Sequence, residues 1–86
     1  MYKLSPLSRS VFAGSSMLKY QLPGESNVDI SIYDISGRMV NNIVSGVKKA
    51  GVYKININAS DYSSGTYFIR MKADEYEHAE RMTIVR

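Results

Sequence analysis

Apolar and polar positions alternate along most of the chain. Leu18, Tyr20 and Leu22 are interleaved with Lys19 and Gln21, and Val28, Ile30 and Ile32 with Asp29, Ser31 and Tyr33. Further on, Tyr53, Ile55 and Ile57 alternate with Lys54, Asn56 and Asn58, and Tyr67, Ile69 and Met71 with Phe68, Arg70 and Lys72. Near the end Met82 and Ile84 face one way and Arg81, Thr83 and Val85 the other. A side-chain period of two belongs to a strand with one face in a core and one in water. The segment from Arg38 to Ser45 breaks the rhythm, because Val40 and Ile43 stand three apart around Asn41 and Asn42. A β-bulge would bring both to one face, and the β-branched content favours a bulged strand over a single helical turn.

Turn residues punctuate these runs. Pro23-Gly24 pairs a fixed φ with a residue that accepts positive φ, and Asp34-Ile35-Ser36-Gly37 combines backbone-capping side chains with a glycine. A polar loop from Ala59 to Ser64 ends at Gly65, and Ala73-Asp74-Glu75 predicts a hairpin turn. Leu7 to Phe12 offers a short additional strand at an edge. About six to seven antiparallel strands, each apolar on one face, predict two sheets packed inner face to inner face, an Ig-like or fibronectin III-like β-sandwich. The expected division is 1–14 as a linker or short edge strand and 15–86 as the sandwich.

Length and composition narrow this picture. A chain of 86 residues holds one domain, and its lack of cysteine leaves packing and sheet hydrogen bonds to stabilise it. The formal charge of +3 comes from residues scattered in sequence, Lys48-Lys49 being the only adjacent basic pair, so a solvated surface and no nucleic-acid partner are expected. No apolar run approaches the ~20 residues that span a bilayer, and the opening Met1-Tyr2-Lys3-Leu4-Ser5-Pro6 lacks the apolar core of a signal peptide. An initiator Met on so short a chain suggests a segment of a longer protein.

Candidate chemistry is sparse. The sole histidine, His78, sits among Glu75, Glu77 and Glu80, where a solvated ion pair is expected rather than a metal site. Ser15-Ser16 and Ser63-Ser64 read as turn residues without a paired base, and Asp29 and Asp34 do not read as paired carboxylates. Nor is there a glycine-rich phosphate cradle. The expectation is no enzyme, no cofactor and no metal.

Several segments, taken in order, carry a resemblance. They are Ser15-Ser16-Met17-Leu18-Lys19-Tyr20-Gln21-Leu22-Pro23, then Val28 through Val40 with the Tyr33-Asp34-Ile35-Ser36-Gly37-Arg38 core, then Gly65-Thr66-Tyr67-Phe68-Ile69-Arg70-Met71, and finally Glu80 through Arg86. This order resembles the C-terminal sorting domains of the type IX (Por) secretion system, and it is similar to the Ig-like domain of the flagellar hook-capping protein. The flagellar branch carries a tryptophan before the late glycine; here Asn56 to Gly65 has none, which favours the sorting branch. The resemblance implies a non-catalytic C-terminal domain of a larger secreted bacterial protein. Such a domain directs its passenger across the outer membrane, by way of the periplasm, to the cell surface. The implied partners are secretion-machinery proteins and an N-terminal passenger domain, with no membrane insertion and a monomer in isolation.

Two sets of residues stand out. Gly37, Arg38, Gly65 and Tyr67 read as structural, the glycines at turns and Tyr67 packing inward with its hydroxyl tied to a neighbouring loop. Arg81, Met82, Thr83, Ile84, Val85 and Arg86 form the candidate recognition strand. Read as an edge strand, it offers unpaired backbone groups to a partner, with Arg81 and Arg86 setting register. The alternative is an Ig-like spacer or carbohydrate-contacting module of an extracellular hydrolase, with Tyr33, Phe68 and Tyr76 as outward aromatics.

Overall fold

The computed structural model describes residues 1–85. Eight strands run in chain order: β1 Lys3–Leu4, β2 Val11–Phe12, β3 Ser15–Leu22, β4 Ser26–Asp34, β5 Met39–Lys48, β6 Gly51–Asn58, β7 Gly65–Ala73 and β8 Tyr76–Ile84. They form two sheets, a three-stranded one in the order β1-β3-β6 and a five-stranded one in the order β2-β8-β7-β4-β5. The alternating positions converge between the sheets, where Leu18, Ile30, Ile32, Ile69, Met71, Met82 and Ile84 are almost wholly shielded from water. The expected sandwich is thus present, with one more strand than the upper count. One pairing is parallel, that of β2 with β8, through Val11 with Thr83 and Phe12 with Ile84. The other sheet pairings are antiparallel.

Local chemistry accounts for the turns. Asp34 Oδ1 accepts hydrogen bonds from Ser36 N (2.9 Å), Ser36 Oγ (2.6 Å) and Arg38 N (3.1 Å), which closes the β4–β5 turn. Gly37 completes it at φ +89°, a conformation costly for any residue with a Cβ. The β7–β8 hairpin is a two-residue connection in which Asp74 takes φ +53°, as Asp tolerates. The loop after β6 winds into a single 3₁₀ turn, Ala59–Asp61, because Ala59 is small enough to bury fully beneath it.

The irregular segment is one strand with two bulges. Along β4–β5 the register skips between Ile30 and Ser31 and again between Ile32 and Tyr33, leaving Ile43 and Val40 as the extra residues. Ile43 packs against the core with Val44, but Val40 is exposed, so the two do not share the inner face as expected. Two bulges rotate the strand twice, and one extra residue lands on each side.

Of the two expectations for residues 1–14, a linker or a short edge strand, the structure shows the strand, twice over. Leu4, Leu7 and Phe12 are buried in the core. Backbone bonds fasten the segment to β3, from Ser5 N to Lys19 O (3.0 Å) and from Ser8 N to Met17 O (2.9 Å). Ser16 is buried at the start of β3 rather than exposed in a turn. Its Oγ accepts from Arg9 N (2.9 Å) and donates to Arg9 O (2.7 Å). The segment supplies one short edge strand to each sheet, and its anchoring comes from apolar residues too widely spaced to show alternation.

Candidate functional site

Five residues of the candidate recognition strand lie within the described structure, and Arg86 lies outside it. Met82 and Ile84 are core residues, Thr83 is half-buried, and Arg81 and Val85 point outward. The end of this strand is not a free edge. Thr83 N donates to Ser10 O (2.6 Å) and Val85 N to Phe12 O (3.1 Å), so β2 occupies the backbone groups that a partner strand would need. Within the expected strand-addition stretch Arg81–Arg86, this corrects the part from Thr83 to Val85, which is already paired. The short edge strand expected within Leu7–Phe12 is present as β2, and local pattern did not indicate that it lies against β8. What the stretch presents outward is side chains, chiefly Arg81 and Val85 (42% exposed).

The longest unpaired edges lie elsewhere. β5 closes one end of the five-stranded sheet and β6 one end of the three-stranded sheet, each with a single ladder partner among the described residues. β5 is the longest strand, with Met39, Val40 and Val47 exposed along it. Its two bulges and Lys48 are the features by which natural edges resist uncontrolled pairing.

The outer face of the five-stranded sheet carries the aromatics. Tyr33 and Phe68 are directly opposed on β4 and β7, and Phe68 is opposed in turn to Arg81 on β8. Tyr33, Asp34, Ile35, Gly37, Phe68, Arg70 and Ala79 line a shallow groove of about 330 Å³. Arg70 forms an ion pair with Glu77, and Glu77 followed by Tyr33 holds the guanidinium pKa above its ordinary value. Tyr76 is not part of this surface. It is half-buried, stacks on Tyr2 with centroids 5.6 Å apart, and accepts a hydrogen bond from Leu4 N (3.1 Å).

The residues read as structural sit as follows. Gly37 and Arg38 belong to the Asp34 turn, where the Arg38 guanidinium lies 3.6 Å from the Asp34 carboxylate. The Ser36 hydroxyl, then the Arg38 amide, hold that carboxyl below its usual range. Gly65 opens β7 at φ +147°. Tyr67, two residues on, is 8% exposed and donates its hydroxyl to Ser63 O at 2.7 Å. A tyrosine early in this strand, bonded back to the preceding loop, is the tyrosine corner of Ig-type sandwiches. His78 Nε2 lies 2.5 Å from Glu80 Oε2 on the exposed part of β8.

The architecture defines a small Ig-like β-sandwich whose distinguishing features are sheet faces and strand edges. Residues 14–85 match the family of secretion system C-terminal sorting domains, and the chain belongs to that family, the sorting domains of type IX secretion. Membership makes it the sorting part of a secreted or cell-surface protein, attached to a passenger and engaging the secretion machinery. No curated protein matches it in sequence. Among solved structures it is similar to the Ig1 domain of mouse SynCAM 2, at a TM-score of 0.46 and 10% identity, over 99% of this chain and 95% of that one.

Proposed function

We propose that the chain is the non-catalytic tail of a larger secreted bacterial protein, directing export across the outer membrane and attachment at the cell surface. The observation that carries this reading is the family match across residues 14–85, which takes in every long strand of the sandwich. A tail that serves an unrelated passenger must fold independently and be read from its own surface. The continuous core between the sheets meets the first requirement, and the outward side chains Arg81 and Val85 are the part of the recognition strand available for the second. Local hydrogen bonds engage the polar side chains most suited to catalysis, Asp34 within its turn, Asp29 with Ser31 and Asn42, and His78 with Glu80. In isolation the domain is proposed to be a monomer.

The test is a periplasmic reporter fused ahead of this chain in a host with type IX secretion. The fusion reaches the medium or the cell surface, while the reporter alone stays in the periplasm. Retention of the intact fusion would remove the export reading. Arg81→Glu with Val85→Glu then reduces export of a domain that still unfolds cooperatively. Unchanged export by that variant would remove the last strand's role and leave the export reading standing.

A carbohydrate-contacting role is the second reading, favoured by the direct opposition of Tyr33 and Phe68 on the outer sheet face. Retention on insoluble polysaccharide, lost on Tyr33→Ala with Phe68→Ala, supports it. No retention by the intact chain removes it.

A further inference from the structure

The charges that look scattered in sequence are gathered by the register of the smaller sheet. On its outer face Lys3 is opposed to Gln21, Gln21 to Val52, and Lys19 to Lys54. The remaining outward positions of β3 and β6 are Ser15, Met17, Asn56 and Asn58, so the strands place three exposed lysines and no carboxylate on this face. The nearest acidic residues along the chain are Glu25 and Asp61, which lie beyond the strand ends. Among the described residues none of the three lysines joins an ion pair. The chain has 11 basic and 8 acidic residues, so without these three lysines the two signs balance at 8 each. Three of the 11 basic residues thus share a face whose strand positions hold none of the 8 acidic ones.

The Lys19–Lys54 pairing makes this more than an accident of composition. Like charges directly opposed on neighbouring strands oppose folding. Protection of a sheet edge explains a lysine on β6, but β3 is the central strand of its sheet, with β1 on one side and β6 on the other. Lys19 has no edge to protect.

We propose that this face docks the domain onto an anionic lipid surface, with the three ammonium groups among the phosphate headgroups. Partner proteins are less well matched, because lysine is depleted at protein interfaces and the face lacks the Trp, Tyr and Arg anchors that dominate them. Single-stranded nucleic acid is less well matched too, since no aromatic side chain on the face can stack on a base. A lipid surface asks instead for lysines spread over a flat area with a few apolar groups between them. Met17 and Val52, 38% and 54% exposed, supply those groups. The inference does not depend on the export reading.

Cosedimentation of the 86-residue chain with vesicles tests it. Binding to vesicles of mixed phosphatidylcholine and phosphatidylglycerol exceeds binding to phosphatidylcholine alone and weakens as salt is added. The Lys3→Gln, Lys19→Gln, Lys54→Gln variant loses about fivefold per lysine, roughly 100-fold in all. A variant with the same net charge, Lys48→Gln, Lys49→Gln, Lys72→Gln, loses less than about tenfold, since its charges lie off the face. Equal losses in the two variants would reduce the effect to net charge and overturn the proposal. So would absence of vesicle binding, including the case in which soluble polyphosphate binds but vesicles do not. Lys54→Gln alone keeps or raises the urea midpoint. A lowered midpoint would show that the lysine pair serves the fold, and would also overturn it.

Discussion

Deleting Thr83 to Arg86 is the obvious way to ask whether the last strand is an export signal, and the structure indicates that it asks a different question. Ile84 is 1% exposed in the core, so its loss carries the cost of an isoleucine-sized cavity, about 2–5 kcal/mol. The truncation also breaks the two backbone bonds from Thr83 and Val85 to β2, each worth about 1 kcal/mol net. Together these give about 4–7 kcal/mol. A domain of 86 residues has about 4–13 kcal/mol to lose. The loss is comparable to the whole stability, so failure of export by the truncated chain would not separate lost recognition from lost folding. Urea unfolding followed by tyrosine fluorescence measures this directly, since the chain has seven tyrosines and no tryptophan. The midpoint falls by about a third or more in the truncated chain. It stays within about 0.5 kcal/mol of the intact value in Arg81→Glu, whose side chain is exposed. A truncated domain with an unchanged midpoint and slope would refute the reasoning, and would mean that β2 and β8 add nothing to one another.

Further outcomes follow from single contacts. Tyr67→Phe removes the bond to Ser63 O and destabilises by about 0.5–1.5 kcal/mol, read as a lower urea midpoint at constant slope; an unchanged midpoint would deny the corner any energetic role. Gly37→Ala places a Cβ at φ +89° and costs about 1–2 kcal/mol by the same measurement, although no neighbouring atom obstructs it. The depressed Asp34 pKa stabilises the fold above the ordinary carboxylate range near pH 4, and that contribution is lost as pH falls through the lower folded value. Asp34→Asn keeps a hydrogen-bond acceptor but not the titration, so it shallows the acid limb of the stability profile; an identical limb in both proteins would assign acid sensitivity to other groups.

Period-two alternation placed β3, β4, β6, β7 and the end of β8 because each has an inward apolar face, and a slip of one residue would expose an entire apolar set. It failed where a face is not set by the core. In β5 the bulges uncouple sequence spacing from facing, so Val40 and Ile43 part company despite their shared chemistry. In the first 14 residues, Leu4, Leu7 and Phe12 are held by backbone bonds and isolated apolar anchors, which leave no period to detect. The misassigned edge at Thr83–Val85 and the overlooked lysine face share a cause. Both depend on which strands are neighbours, a long-range property that local pattern does not encode. Lys3, Lys19 and Lys54 are far apart in sequence and become one surface only through the β1-β3-β6 order.

That order also constrains how a sorting machinery can grip the domain. Recognition through backbone hydrogen bonds needs an unpaired edge, and β2 blocks the end of β8. The unpaired edges open to a strand-adding partner are those of β5 and β6, on strands separated by only Lys49 and Ala50, and the part of β8 before Thr83 that β2 does not cover. Recognition at the covered end of the last strand must instead read side chains across the sheet face, where Arg81 is opposed to Phe68 and Phe68 to Tyr33. The two modes use different surfaces of one small sandwich, and a partner at β5 or on the Arg81 face leaves the lysine face uncovered, whereas one added to β6 lies beside Lys54 in the same sheet. The outer faces of the two sheets point in opposite directions, so recognition across the Arg81 face and the proposed docking through the lysine face do not compete for one surface.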